Sequence, residues 1–166
     1  LATDGSGYQA IIIPDGGYRN PFSLNSLSYY QAEEGINRNN LHTIMNGMDV
    51  FAFGISKAPE SVKNLCSHFS IDQNIIDYYT FHQANFFMNE KIRKKLKLPE
   101  DKVVYSLKDY GNTSCASIPL TLVSQLKNEL ERNKLRHIAC GFGVGLSWGS
   151  VYFETDKIVC SELIEY

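Results

Sequence analysis

At 166 residues, with 43% hydrophobic and 20% charged side chains, the chain is large enough for one domain with its own core and too short to expect a second. A formal charge of −2 gives no general affinity for nucleic acid, and no apolar run approaches the roughly 20 residues that a bilayer-spanning helix needs. Cys66, Cys115, Cys140 and Cys160 stand far apart without a CxxC pair, which argues against a zinc knuckle and for reduced, mostly buried thiols in a cytoplasmic protein. The opening "LATDGSG" has neither an initiator Met nor a signal-peptide pattern and reads as the start of a cut chain.

In chain order, residues 8–13 read as a first strand, ended by Pro14 and the turn-forming Asp-Gly-Gly. An Asn- and Ser-rich stretch to about Leu41 reads as loop with a little helix. Val50, Phe53, Val62, Leu65 and Phe69 then recur at helical intervals, which predicts a long helix that Pro59 should kink or split. Residues 75–81, "IIDYYTF", predict a second strand, and Asn85 is placed to cap a helix that runs to Leu96 and stops before Pro99. Residues 102–107 predict a third strand, a helix follows from about Ser114 with Pro119 in its first turns, and "HIACGFG" and "SWGSVYFET" predict two closing strands. The alternation gives an α/β class with a central five-stranded sheet.

Three loops after strands carry the groups that could do chemistry. His82 follows the second strand, Asn112 in "YGNTSC" follows the third, and the Gly-rich "GFGVGLSWG" follows the fourth. Ligand-binding groups of open α/β sheets collect at such strand ends. The Gly-rich run leads into a strand and not into a helix, so it lacks the context of a dinucleotide-binding loop and reads as a tight turn with accessible backbone amides. Taken singly, His82 has a structural reading as a satisfied histidine and Asn112 as an ordinary turn or cap residue. Taken together, an imidazole, a carboxamide and a backbone turn form a set of hydrogen-bond donors without a carboxylate, suited to a developing enolate or tetrahedral oxyanion.

The runs "HQAN" at 82–85, "GNTS" with "ASIPL" at 111–120, "GFGVGLSWG" at 141–149, "DGSG" at 4–7 and "MNGMDVF" at 45–51 resemble the C-terminal half of beta-ketoacyl-acyl-carrier-protein synthase III, of the thiolase-like superfamily. The resemblance covers nearly the whole chain in the right order. It implies one thiolase-like half, with a mixed sheet and helices on both faces, spanning residues 1–166, and a missing N-terminal half that carries a nucleophilic Cys. It implies decarboxylative condensation of malonyl-acyl-carrier-protein with an acyl group taken from acyl-CoA, in fatty acid biosynthesis, with no cofactor or metal and a homodimeric full-length enzyme.

By the same resemblance His82 and Asn112 bind the thioester carbonyl during CO₂ loss, and backbone at Gly143 and Val144 helps form an oxyanion hole. Val144 stands where the family commonly has Gly, a change that spares the backbone donor. Phe87 stands where the family commonly has a basic residue linked with carrier-protein docking. Gln83, Asn85, Phe87, Arg93 and Lys94 are the carrier-contact candidates. Cys115 lies in a helix's first turn but at a position that is small and non-catalytic in the family. A condensing paralogue of a secondary pathway and a non-catalytic dimerisation module are the alternative readings.

Overall fold

The computed structural model describes residues 1–164. In chain order its elements are β1 (Ala2–Thr3), a 3-10 turn (Gly5–Ala10), β2 (Ile11–Ile12), β3 (Tyr30–Glu33), β4 (Ile36–Arg38), β5 (Ile44–Met45), α1 (Gly47–His68), β6 (Tyr78–Phe81), α2 (Phe86–Leu96), α3 (Leu107–Tyr110), α4 (Ser117–Arg132), β7 (Lys134–Gly143) and β8 (Ser147–Asp156). The main sheet is mixed and runs β1-β8-β7-β6 in space. β6 and β7 are parallel, whereas β7 pairs antiparallel with β8 along its whole length, from Lys134 opposite Asp156 to Gly143 opposite Ser147.

The sheet therefore has four strands where the sequence predicts five. The predicted strand at 102–107 shrinks to one parallel bridge between Val103 and Tyr79, because a 3-10 turn occupies Glu100–Lys102 and Ser106 already opens α3. The predicted strand at 8–13 is mostly the Gly5–Ala10 turn: the Asp4 carboxylate accepts from the Ser6 amide at 3.0 Å and the Ser6 hydroxyl at 2.6 Å, which coils the chain. Only Ile11 and Ile12 stay extended, in a separate ribbon with β5.

Alternation along the strands sorts side chains to two faces. Tyr79 and Phe81 of β6 join Ile138, Cys140 and Phe142 of β7 in a core with Ala58 and Val62 of α1 and Met88, Ile92 and Leu96 of α2. On the other face Leu126 and Leu130 of α4 pack with Leu135. Helices thus cover both faces, as the class requires.

α1 is one helix, and Pro59 neither splits nor ends it. Proline cannot donate to the carbonyl four residues back, that of Ile55. Lys95 of α2 supplies the missing donor, its Nζ lying 3.2 Å from the Ile55 oxygen. The helix also runs close to its neighbours at Gly54, where a Cβ would lie 2.7 Å from Met88 Sδ and 3.0 Å from Phe142 Cε2. Gly54→Leu is therefore expected to destabilise the fold by about 1–3 kcal/mol or more, read as a lower denaturation midpoint.

Two buried polar clusters set the response to acid. His137 lies between the Phe153 ring, stacked at 4.8 Å, and that of Tyr78, and its Nδ1 is buried without a partner. Burial lowers its pKa, with a weaker opposite pull from Asp77. Glu90 is held down to about 2, first by the hydrogen bond it accepts from Arg93 and also by that from Tyr105. The unfolded chain binds more protons than the native one in both cases, so stability rises with pH. We expect it to fall first as pH drops below about 6.5, the ordinary histidine value, and again from about 4.5 downward, where Glu90 takes up a proton in the unfolded chain but not yet in the native one. His137→Phe should reduce the first step in urea titrations at stepped pH to the part that the buried His82 contributes, while the second persists.

Candidate active site

Because β6 and β7 are parallel, their C-terminal ends share one edge of the sheet. His82 follows β6 directly, and its backbone N–H donates to the Cys140 carbonyl at 2.8 Å, so it continues the ladder one residue past the strand. Gly143 ends β7 on the same edge. Asn112 comes in between α3 and α4, past Gly111, whose φ of 63° is a turn that a side chain would strain.

His82, Asn112 and Gly143 line one cavity of about 240 Å³, with apolar walls that include Ile11, Val50, Phe51, Met88 and Phe142. A wider adjoining cleft shares these three residues and adds Val144, Cys115 and Ser117. No Asp, Glu, Lys or Arg lines either space among the described residues.

The imidazole is fixed from several sides. Its Nδ1 lies 2.7 Å from Ser117 Oγ, its edge meets the Phe142 ring at 5.5 Å, and Asn89 Nδ2 donates to its backbone carbonyl at 3.2 Å. Burial lowers the His82 pKa, with the Ser114 carbonyl pulling weakly the other way. The ring is therefore neutral near pH 7, with one nitrogen a donor and the other an acceptor. Asn112 is held differently: its Oδ1 accepts from the Ser114 amide at 2.9 Å, a local turn that leaves its Nδ2 donors unspent. Val144 is exposed at the tip between β7 and β8.

Two carrier-contact candidates are corrected by their surroundings. Gln83 is fully buried, its Nε2 donating to the Phe81 carbonyl at 2.8 Å and its Oε1 accepting from the Ser106 amide at 3.1 Å, so it holds the fold and meets no partner. Arg93 is buried as well, with its donors taken by Glu90, Glu100 and the Leu98 carbonyl. Its charge is neutralised inside the domain.

The other three candidates stay outward. Asn85 caps α2 by accepting from the Met88 amide at 2.8 Å and also lines the cavity, and Lys94 is exposed. Phe87 is exposed, stacked on Phe51 at 5.7 Å, with Lys91 Nζ 5.1 Å from its ring centre. Cys115 is the one exposed thiol among the four cysteines. Sequence reasoning passed over Ser117. The signal that could have found it is its place one turn after Asn112, as a small hydroxyl residue opening a helix beside a strand-end histidine.

Comparison with known proteins agrees with this fold. Residues 66–155, more than half of the chain, match the family described as 3-oxoacyl-[acyl-carrier-protein (ACP)] synthase III C terminal. The beta-ketoacyl-[acyl-carrier-protein] synthase III of Trichodesmium erythraeum is 39% identical over 110 residues, covering 66% of this chain and 33% of the relative. That of Clostridium acetobutylicum is 35% identical over 157 residues, covering 95% and 45%. The crystal structure of a 3-oxoacyl-(acyl-carrier protein) synthase from Burkholderia xenovorans superimposes with a TM-score of 0.83 at 33% identity, covering 96% of this chain and 44% of that one. The chain thus spans less than half the length of these relatives. A strand-end histidine, a turn asparagine and a Gly-rich hairpin tip share one sheet edge, and the chain that builds them belongs to the family of 3-oxoacyl-[acyl-carrier-protein] synthase III C-terminal domains.

Proposed function

We propose that this chain is the decarboxylating half of a condensing enzyme that joins a malonyl thioester to an acyl-enzyme, in fatty acid biosynthesis. The observation that carries the reading is the cavity shared by a neutral imidazole and an unspent carboxamide, with no ionisable carboxylate or cation on its walls. A malonyl thioester that loses CO₂ leaves the electron pair of the broken C–C bond on the α-carbon, delocalised onto the thioester oxygen. N–H donors from His82 and Asn112 stabilise that oxygen, and the apolar walls exclude water from it. The enolate carbon then attacks the thioester of an acyl-enzyme, forming the new C–C bond and releasing the cysteine thiolate. The backbone near Gly143 and Val144 serves the tetrahedral oxyanion of that step.

The nucleophilic cysteine belongs to a part of the protein outside this chain. None of the four cysteines here fits: Cys66, Cys140 and Cys160 are buried, burial pushes the Cys140 thiol up to about 11, and Cys115 occupies a position that is non-catalytic in the resembling family. Malonyl-acyl-carrier-protein and acyl-CoA are the proposed substrates, and a cytoplasmic homodimer the proposed assembly of the full-length enzyme. Condensation assays with malonyl and acyl thioesters test the reading. The full-length protein should turn over and the 166-residue chain should not; turnover by the isolated chain would refute it.

A second reading, a condensing enzyme of a secondary pathway, is favoured by Phe87, which offers a carrier an aromatic stack where the resembling family offers charge. Efficient turnover of an acetyl-CoA and malonyl-carrier pair by the full-length protein would count against it.

A further inference from the structure

A neutral imidazole offers only one N–H, and a site that needs a donor in its cavity fails if the proton sits on the wrong nitrogen. The structure holds the means of choosing. Ser117 is 1% exposed, so its hydroxyl proton cannot be left to water and needs an acceptor inside the protein. Its oxygen already accepts the Gln83 backbone N–H at 3.3 Å. The hydrogen bond open to its own proton is the one to His82 Nδ1 at 2.7 Å. The Ser114 backbone also acts on the ring as a hydrogen-bond partner that raises the His82 pKa, but by less than burial lowers it.

Ser117 is itself held in place. Its carbonyl accepts from Thr121 Oγ1 at 2.7 Å, that hydroxyl meets Ser106 Oγ at 2.6 Å, and the Ser106 amide donates to Gln83 Oε1. Ser106, Ser117, Thr121 and Gln83 are all buried. The hydroxyl therefore approaches Nδ1 from a frame tied to both the strand end and the start of α4.

We propose that Ser117 is a positioning residue that donates to His82 Nδ1 and thereby places the ring proton on Nε2, the nitrogen left to serve the cavity. The role of that N–H in decarboxylation rests on the proposed function, whereas the tautomer itself does not. A Ser117 hydroxyl turned the other way would accept from Nδ1–H, leave its own proton without an acceptor and present the substrate oxygen with a lone pair. That arrangement would repel an enolate.

Nitrogen NMR of the full-length protein labelled with ¹⁵N-histidine reads the tautomer directly, with the His82 signals identified by their loss in His82→Gln. The expected result is an Nε2-protonated, neutral His82 near pH 7. In Ser117→Ala the Nδ1-protonated form should appear, and kcat for malonyl-thioester decarboxylation should fall by about 10–100-fold with KM nearly unchanged, the range for removing a hydrogen-bonded partner that orients a metal-ligating histidine. Leu126→Ala, in the packed face of α4 and outside the hydrogen bonds that hold Ser117, serves as the control for a merely structural role: it should lower the denaturation midpoint and leave the tautomer as in the parent. An Nδ1-protonated His82 in the parent protein, or a Ser117→Ala spectrum identical to the parent's, overturns the proposal. A correct tautomer combined with decarboxylation indifferent to His82→Ala would instead remove the proposed function and leave the assignment of Ser117 standing.

Discussion

His82→Ala in the full-length enzyme is expected to lower malonyl-thioester decarboxylation by about 10²–10³-fold, the range for one well-placed oxyanion donor. The ring carries the more rigid of the two donors, with its backbone amide in the sheet ladder and its Nδ1 on Ser117. Asn112→Ala removes the second donor and should act in the same direction, because both serve one oxygen. The double variant should fall short of the product of the single losses, since an oxygen deprived of one donor gains little from the other alone. Release of CO₂ from malonyl thioester is the measurement, with the transfer of the acyl group to enzyme followed separately. That transfer should survive both changes. Decarboxylation within threefold of the parent in either single variant would mean that the cavity stabilises its oxyanion by other means.

Gln83→Ala carries the largest expected effect on stability. Gln83 is completely enclosed, and its carboxamide ties the Phe81 carbonyl at the end of β6 to the Ser106 amide before α3. Truncation strands a buried amide, which costs about 1–3 kcal/mol, and leaves a cavity that adds to the loss. A drop of about 2–4 kcal/mol in unfolding free energy, with an unchanged dependence on urea, is the expected outcome. A change below about 0.5 kcal/mol would show that water replaces the carboxamide freely, which its burial argues against.

These two neighbours show where sequence reasoning reads well and where it stops. Strands β6, β7 and β8 and the capped helix α2 are legible because their signals are local: β-branched and aromatic runs, Asn85 before a helical pattern, and glycines at a hairpin tip. The placement of His82 and Gly143 on one edge follows from strand order, which the βα alternation conveys, whereas Asn112 reaches it from the α3–α4 turn and not from the predicted third strand. What a side chain meets across the chain is not local. Gln83 and Arg93 look like surface groups in a polar run, yet one faces the interior at a strand end and the other is enclosed by Glu90 and Glu100.

The same limit explains the misread elements. Val103 and Val104 have the composition of a strand, but the turns on either side leave extended backbone for a single bridge. Residues 8–10 have it too, and the Asp4 carboxylate coils them. Pro59 should break α1 by local rules, and the compensating donor lies 36 positions away in sequence, at Lys95.

The unequal anchoring of the two donors has a thermodynamic consequence. His82 arrives at the substrate already immobilised, whereas Asn112 is exposed and held by a bond within its own turn. Ordering one such side chain costs about 0.5–1.5 kcal/mol. In the proposed reaction, residues 111–114 are therefore where substrate binding would lose side-chain entropy.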